Sequence, residues 1–321
     1  MSNRKKAKQA KDQALPFLDI DQANRVRALM REALAERGLE VTVFDDHLRT
    51  DDGREFGVWN VAAKCHAAGH SDAIWRRVIA DHVGKLMAGV AAGDPFEGLS
   101  QDEVLTRTYT RLWEASSLPG GAEHYPHLEF APGLLEVISL AVPHGVATFN
   151  ADRVEQFGGW DLLRAQGLDN LSRRPVEQIE RFEPPTGGAF FVSRGDSIYT
   201  ASQALLMPHF GYAVEKSRDA GLGWLISMPN RHELCWHLIS DSTVIESLAG
   251  MAWYAQWQHV DAAGPLSPHV FWGTGHGYEQ VTGYQSNGDL RFHIGAELER
   301  IIERLEPTQL SPGVRRASEG R

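Results

Sequence analysis

Apolar residues recur along this chain with two different periods, and the switch between them predicts the elements. Val26, Leu29, Met30, Ala33 and Leu34 stand three or four apart, the spacing of one helical face. Asp19 or Asp21 can cap that helix, and Gly38 ends it. Glu40–Phe44 reads as a strand, and Thr50-Asp51-Asp52-Gly53 is a hairpin turn leading into Glu55–Trp59. Ser71 then caps a second helix with Ile74, Trp75, Val78, Ile79, Leu86 and Met87 as its buried stripe, stopped by Gly93 and Pro95. Further on, Gly133–Val142 and Gly145–Phe149 are β-branched strands, Asp161–Leu171 is a helix, Ala189–Ser193 is a short strand and Ser197–Leu206 is helical.

The last third is the most clearly patterned. Trp224–Met228 and Glu233–Ile239 form a hairpin around Pro229-Asn230-Arg231-His232. A long helix follows over Ser242–Gln258, where Thr243 and Glu246 have the spacing of a capping box. Pro268–Gly295 alternates short strands with Gly-rich turns, and a final helix carries Leu298, Ile301, Ile302 and Leu305. This order lacks the strict βαβα alternation of a parallel doubly wound sheet. The expected fold is α+β, with mixed or mostly antiparallel sheets, helices packed on one face, and two subdomains. Those subdomains are placed at residues 19–183 and 188–306, joined by the Pro184–Gly188 linker, with Gly93–Ser100 a weaker alternative. Residues 1–18 and 307–321 read as disordered tails, the first of them basic.

Composition narrows the functional classes. With 321 residues and 42% hydrophobic content the chain can build a core, so a fully disordered or fibrous protein is excluded. No apolar run approaches the roughly 18–20 residues of a membrane helix. Basic Met1–Lys11 has no apolar stretch behind it and does not read as a secretory signal. Two cysteines, Cys65 and Cys235, cannot make a disulfide framework and suit a reducing cytoplasm. The net charge is −10, and the basic residues gathered at both ends leave a still more acidic body between them. Nucleic acid and anionic membranes are therefore not the expected partners. A cytoplasmic location, and a protein or small-molecule partner of unknown identity, are expected.

The motifs carry less. His232-Glu233-Leu234-Cys235-Trp236-His237 resembles a zincin string, but the histidines are five apart and the pattern is that of a strand. On a strand Glu233, Cys235 and His237 share one face. Cys235 and His237 are then two candidate metal ligands without identifiable companions. Gly69-His70-Ser71-Asp72-Ala73 is a poor nucleophile elbow, since a helix precedes it, and Ser71 is better read as a cap. Gly273-Thr274-Gly275-His276-Gly277 lacks the lysine of a phosphate loop and reads as a turn between strands. The acidic residues of Asp45–Asp52 do not match a calcium loop. The nine tryptophans, with no Lys or Arg between Trp236 and Trp272, read as core and interface packing. No cofactor motif is identified.

The segment from Gly133 to Trp253 resembles the YtpQ-like family of uncharacterised bacterial proteins. The residues that carry the resemblance are Gly133–Val142 with Asn150, Trp160 with Leu168-Asp169-Asn170-Leu171, Gly188–Val192, Ala204–Leu206 and Met228-Pro229-Asn230-Arg231. Val58-Trp59-Asn60-Val61 and Ile79–Val83 suit the family's first domain, so the resemblance spans roughly residues 20–258; residues 260–321 have no counterpart in it. It implies an α+β cytoplasmic protein of unknown activity and supplies no catalytic residues.

The leading expectation is a non-catalytic binding or regulatory protein, because no nucleophile, metal or phosphate constellation is complete. Asn230, Arg231 and His232, at the tip of the hairpin, are the candidate ligand-binding residues, for a carboxylate or a phosphate. Two alternatives stand beside it. One is a metal-dependent hydrolase using Cys235 and His237, and the other an immunity or accessory protein that presents its acidic surface to a basic partner.

Overall fold

The computed structural model describes residues 10–305, apart from 144, 176, 186, 208–221, 275 and 286. Most of the two expected tails lies outside the described residues. Residues 10–18 do not behave as a tail, however. Leu15, Phe17 and Leu18 are buried, and Asp12 receives a two-pronged hydrogen bond from Arg27 at 2.9 and 2.8 Å. A fork of this kind, itself almost buried, holds the segment more firmly than its basic composition indicates.

That segment opens a helical unit. Helices α1 (Ile20–Ala35), α2 (Trp59–Ala67) and α3 (Asp72–Ala91) enclose one hydrophobic core with Leu48 and Phe56. Asp19 caps α1 in a complete capping box with Gln22. A small sheet of β1 (Thr42–Val43), β2 (His47–Arg49) and β3 (Glu55–Gly57) leans on it. The Thr50–Gly53 turn joins β2 to β3, and Trp59 begins a helix rather than ending a strand.

The middle unit is an antiparallel sheet in the order β4 (Thr108–Glu114), β6 (Leu134–Val142), β5 (His127–Ala131), with β7 (Gly145–Thr148) also on β6. Helices α4 (Gln101–Arg107), α5 (Ala151–Gln156) and α6 (Trp160–Ser172) accompany it. Ile138 and Leu140 of β6 pack with Leu163 of α6, and Glu136 on the same face accepts from Arg164 at 2.8 Å. Gly167 lets α6 approach closely: a Cβ there would stand 2.6 Å from the Thr110 backbone nitrogen. The odd-numbered residues of β4, Tyr109, Arg111 and Trp113, pair with Ser139, Val137 and Leu135 on the opposite face.

The C-terminal unit is a six-stranded sheet in the order β13-β12-β10-β11-β9-β8. Its strands are β8 (Gln178–Phe182), β9 (Phe190–Arg194), β10 (Trp224–Ser227), β11 (Glu233–Leu238), β12 (Val270–Thr274) and β13 (Gly277–Gln280). Every neighbouring pair in it is antiparallel. Alternation sends Leu225, Cys235 and Ile239 toward helix α7 (Val244–His259). Trp224, Ile226, Leu234 and Trp236 go the other way, onto the short 3-10 turn Ala201–Leu206 and onto Leu112, Ala131 and Leu134 of the middle sheet. A two-stranded ribbon, β14 (Thr282–Tyr284) with β15 (Leu290–Phe292), and helix α8 (Ala296–Leu305) complete the unit.

The fold is therefore α+β, as expected. Helices cover one face of the large sheet, and a second sheet with the 3-10 turn covers the other. The expected boundary near residues 183–188 does not separate subdomains: β8 and β9 lie on either side of Pro184–Gly188 and pair across it, Phe182 opposite Phe190. Pro184 and Gly188 instead serve packing, since a Cβ on Gly250 of α7 would strike Pro184 at 2.5 Å, and one on Gly188 would strike the Ser247 nitrogen at 2.5 Å. Helix α7 also starts differently. Thr243 donates its hydroxyl to Asp241 at 2.5 Å and makes no side-chain cap, so the expected box with Glu246 does not form.

Candidate functional site

A cavity of about 760 Å³ lies where the three units meet. The helical unit contributes Trp59 and Asn60, from the first turn of α2. From the middle sheet come Arg111 and Trp113 of β4, with Pro132 and Gly133 of the β5–β6 turn. The C-terminal unit brings Arg231 from the β10–β11 turn, His259 from the end of α7, and the Gly264–His269 segment that runs into β12.

Arg111 is the unusual member. As an odd-numbered residue of β4 it faces away from α6, and only 4% of it is exposed. Its guanidinium lies over the Trp113 ring, 4.3 Å from the centroid. Its Nε is buried and has no hydrogen-bond partner among the described residues. Burial, followed by the nearby charge of Arg231, pushes its pKa down to about 10, so it remains a cation at neutral pH.

Arg231 is fixed by its backbone and by its neighbours. Its N–H donates to Gly264 O at 3.0 Å, and its carbonyl accepts from Ala201 N at 3.2 Å. Gly264 has φ +72°, and a Cβ there would stand 2.7 Å from both Cδ and Nε of Arg231. The arginine therefore lies along a glycine that no other residue can replace without strain. Arg231 Nε donates to His232 Nε2 at 3.0 Å, which requires that nitrogen to be unprotonated. Burial first, then the charge of Arg231, lowers the His232 pKa and keeps the imidazole neutral.

The third candidate of the hairpin tip, Asn230, is turned inward and is almost fully buried. Its Oδ1 accepts from His232 N at 2.9 Å, and its Nδ2 donates to Glu233 Oε2 at 3.2 Å. Glu233 is buried in turn, and its Oε1 accepts from Arg194 Nε at 2.5 Å and from the Tyr254 hydroxyl of α7 at 3.3 Å. Asn230 thus shapes the turn that presents Arg231 and does not itself face the cavity.

No carboxylate pairs with Arg111 or Arg231 among the described residues. Glu114 lines the same cavity, but its carboxylate accepts from Ser116 N at 3.1 Å and Ser116 Oγ at 2.8 Å. Lys64, on the exposed side of α2, has its pKa lowered by partial burial and then by Arg231. A protein with net charge −10 thus brings two arginines to one cavity. Elsewhere in the cavity His259 is pushed down to about 4, mainly by burial and then by His269, whose own pKa burial also lowers. Both are neutral hydrogen-bonding groups at pH 7.

Cys235 and His237 lie elsewhere, on the α7 side of the large sheet. Cys235 is fully buried in the core against α7, and burial pushes its thiol up, away from the thiolate a metal needs. His237 Nδ1 donates to Ala189 O at 2.8 Å, and its ring borders a smaller cavity of about 560 Å³ with Arg181, Glu183 and Asp241. Among the described residues no three His, Cys, Asp or Glu stand close enough together to hold a metal ion.

Of the residues singled out in the sequence, Arg231 lines the cavity and His232 orients it. Arg111 was missed, and so was β4. Thr108-Tyr109-Thr110-Arg111-Leu112-Trp113 alternates β-branched with aromatic residues, and an arginine on the aromatic face was the available signal. No family model, no curated protein and no solved structure matches this chain.

Proposed function

We propose that this chain is a binding protein for a small organic anion, held in the cavity by the guanidinium groups of Arg111 and Arg231. The observation that carries the reading is a pair of desolvated arginines, converging on one cavity, with no carboxylate partner among the described residues. Removing a cation from water costs several kcal/mol unless an anion compensates it. A bound ligand is the natural source of that anion, and guanidinium forks match carboxylate and phosphate oxygens two at a time. The remaining wall mixes Trp, Pro, Leu and Gly with polar groups such as Asn60, His259 and His269, and the volume falls within the range of small-molecule sites. The reading agrees with the function expected for an Arg at the hairpin tip. It leaves membership of the YtpQ-like family resting on the quoted segments alone.

A thermal-shift series with organic anions and their neutral amides tests it. Anions are expected to raise the melting temperature of the native protein and to leave Arg111→Gln and Arg231→Gln unshifted. Equal shifts from the amides, or undiminished shifts in both variants, would remove the arginines from the site.

A further inference from the structure

Counting charges at the arginine end of the cavity narrows the ligand class, an argument that rests on the anion-binding reading above. Arg111 and Arg231 both line the cavity, each within reach of the other's charge, and neither is paired with a carboxylate among the described residues. Glu114, the acidic residue lining the cavity, keeps its charge but acts on His259 rather than on Arg111 or Arg231. His232, which accepts from Arg231 Nε, uses its one lone pair on Arg231 itself and brings no negative charge. A monoanion would leave one of the two cations uncompensated in a desolvated place. A phosphoryl group carries close to two negative charges at neutral pH and three terminal oxygens, enough for two forks to share.

The same wall also offers apolar surface, from Trp59, Pro132, Pro265 and Pro268, and the cavity of about 760 Å³ far exceeds the space a single phosphate ion fills. We infer that the ligand is the phosphomonoester of a small organic molecule, its phosphoryl group between Arg111 and Arg231 and its organic body against the Trp59 and proline wall.

Calorimetric titration of the full chain with four probes decides this: phenyl phosphate, benzoate, malonate and inorganic phosphate. Phenyl phosphate is expected to bind at least about ten-fold more tightly than each of the others. In Arg231→Gln one cation remains, and the preference for phenyl phosphate over benzoate is expected to fall toward parity. Arg231 is only half-buried, so this variant keeps the test available should Arg111→Gln fail to fold. Benzoate binding as tightly as phenyl phosphate, while still needing Arg231, would overturn the dianionic headgroup and leave the anion site standing. Malonate matching phenyl phosphate would overturn the phosphoryl assignment, and inorganic phosphate matching it would overturn the organic body. If none of the four bound at up to about 10 mM, beyond the ordinary range of small-ligand affinities, the anion site itself would fall.

Discussion

Arg111 sits where an uncharged side chain would be more stable in the free protein. Its stacking on Trp113 contributes about 1 kcal/mol, whereas desolvating its charge costs several. Desolvation wins, so Arg111→Met is expected to raise the urea midpoint of the ligand-free protein by an amount equivalent to about 1–3 kcal/mol. A lowered midpoint would mean that the charge is compensated in the free state and would weaken the ligand argument. The opposite holds for Glu233, which accepts from three side chains at once. Arg231 was legible in the sequence because a polar turn between two apolar strands marks a loop tip. Arg111 was not, because the residues that complete its cavity, Trp59 and Arg231 among them, lie far away in the chain.

Long, strongly periodic elements were the legible ones. The hairpin of β10 and β11, and helices α1, α3 and α7, lie where their spacing predicts. Short strands escaped: β8 reads Gln-Ile-Glu-Arg-Phe, with polar residues on both faces of an edge strand, and its pairing with β9 is set by the large sheet. Where elements touch, glycine decides how closely. Gly167→Ala would place a Cβ 2.6 Å from the backbone of β4, and backbone cannot swing aside as a side chain can. The cost expected from separating α6 from β4 is about 2 kcal/mol or more, read as a lowered urea midpoint. Gly264→Ala adds backbone strain at φ +72° to a clash with Arg231. It is expected to cost about 1–3 kcal/mol and, unlike Gly167→Ala, to weaken phenyl phosphate binding by displacing the guanidinium.

At the scale of the molecule, three units share two interfaces, and the division expected at the Pro184–Gly188 segment runs through a single sheet. That boundary was misread because Pro and Gly mark turns between paired strands as readily as they mark linkers. Two half-buried imidazoles give the assembly a pH dependence. His82 and His259 are both pushed from 6.5 down to about 4, chiefly by burial. Above pH 6.5 neither the folded nor the unfolded form carries these protons, and stability does not depend on them. As the pH falls from 6.5 toward 4, the unfolded chain takes up protons that the folded one refuses, so stability declines, on the order of 2 kcal/mol for each histidine. Urea midpoints between about pH 7 and pH 4.5 should fall accordingly, and His82→Asn should flatten the slope. An unchanged slope in that variant would show that His82 is protonated in the folded protein.

The residues between α7 and β12 tie the helical unit to the C-terminal one. Ala262 O accepts from Trp59 Nε1 at 2.8 Å, Gly264 N donates to Asn60 Oδ1 at 2.7 Å, Gly264 O receives Arg231 N, and Pro265 bridges to Asn230. One consequence concerns dissection of the gene. A truncation that discards the first helical unit also removes two of the groups that clasp this loop, and with them one wall of the cavity. A shortened chain, even one that stays soluble, would therefore be an unsuitable stand-in for the whole in any search for the ligand.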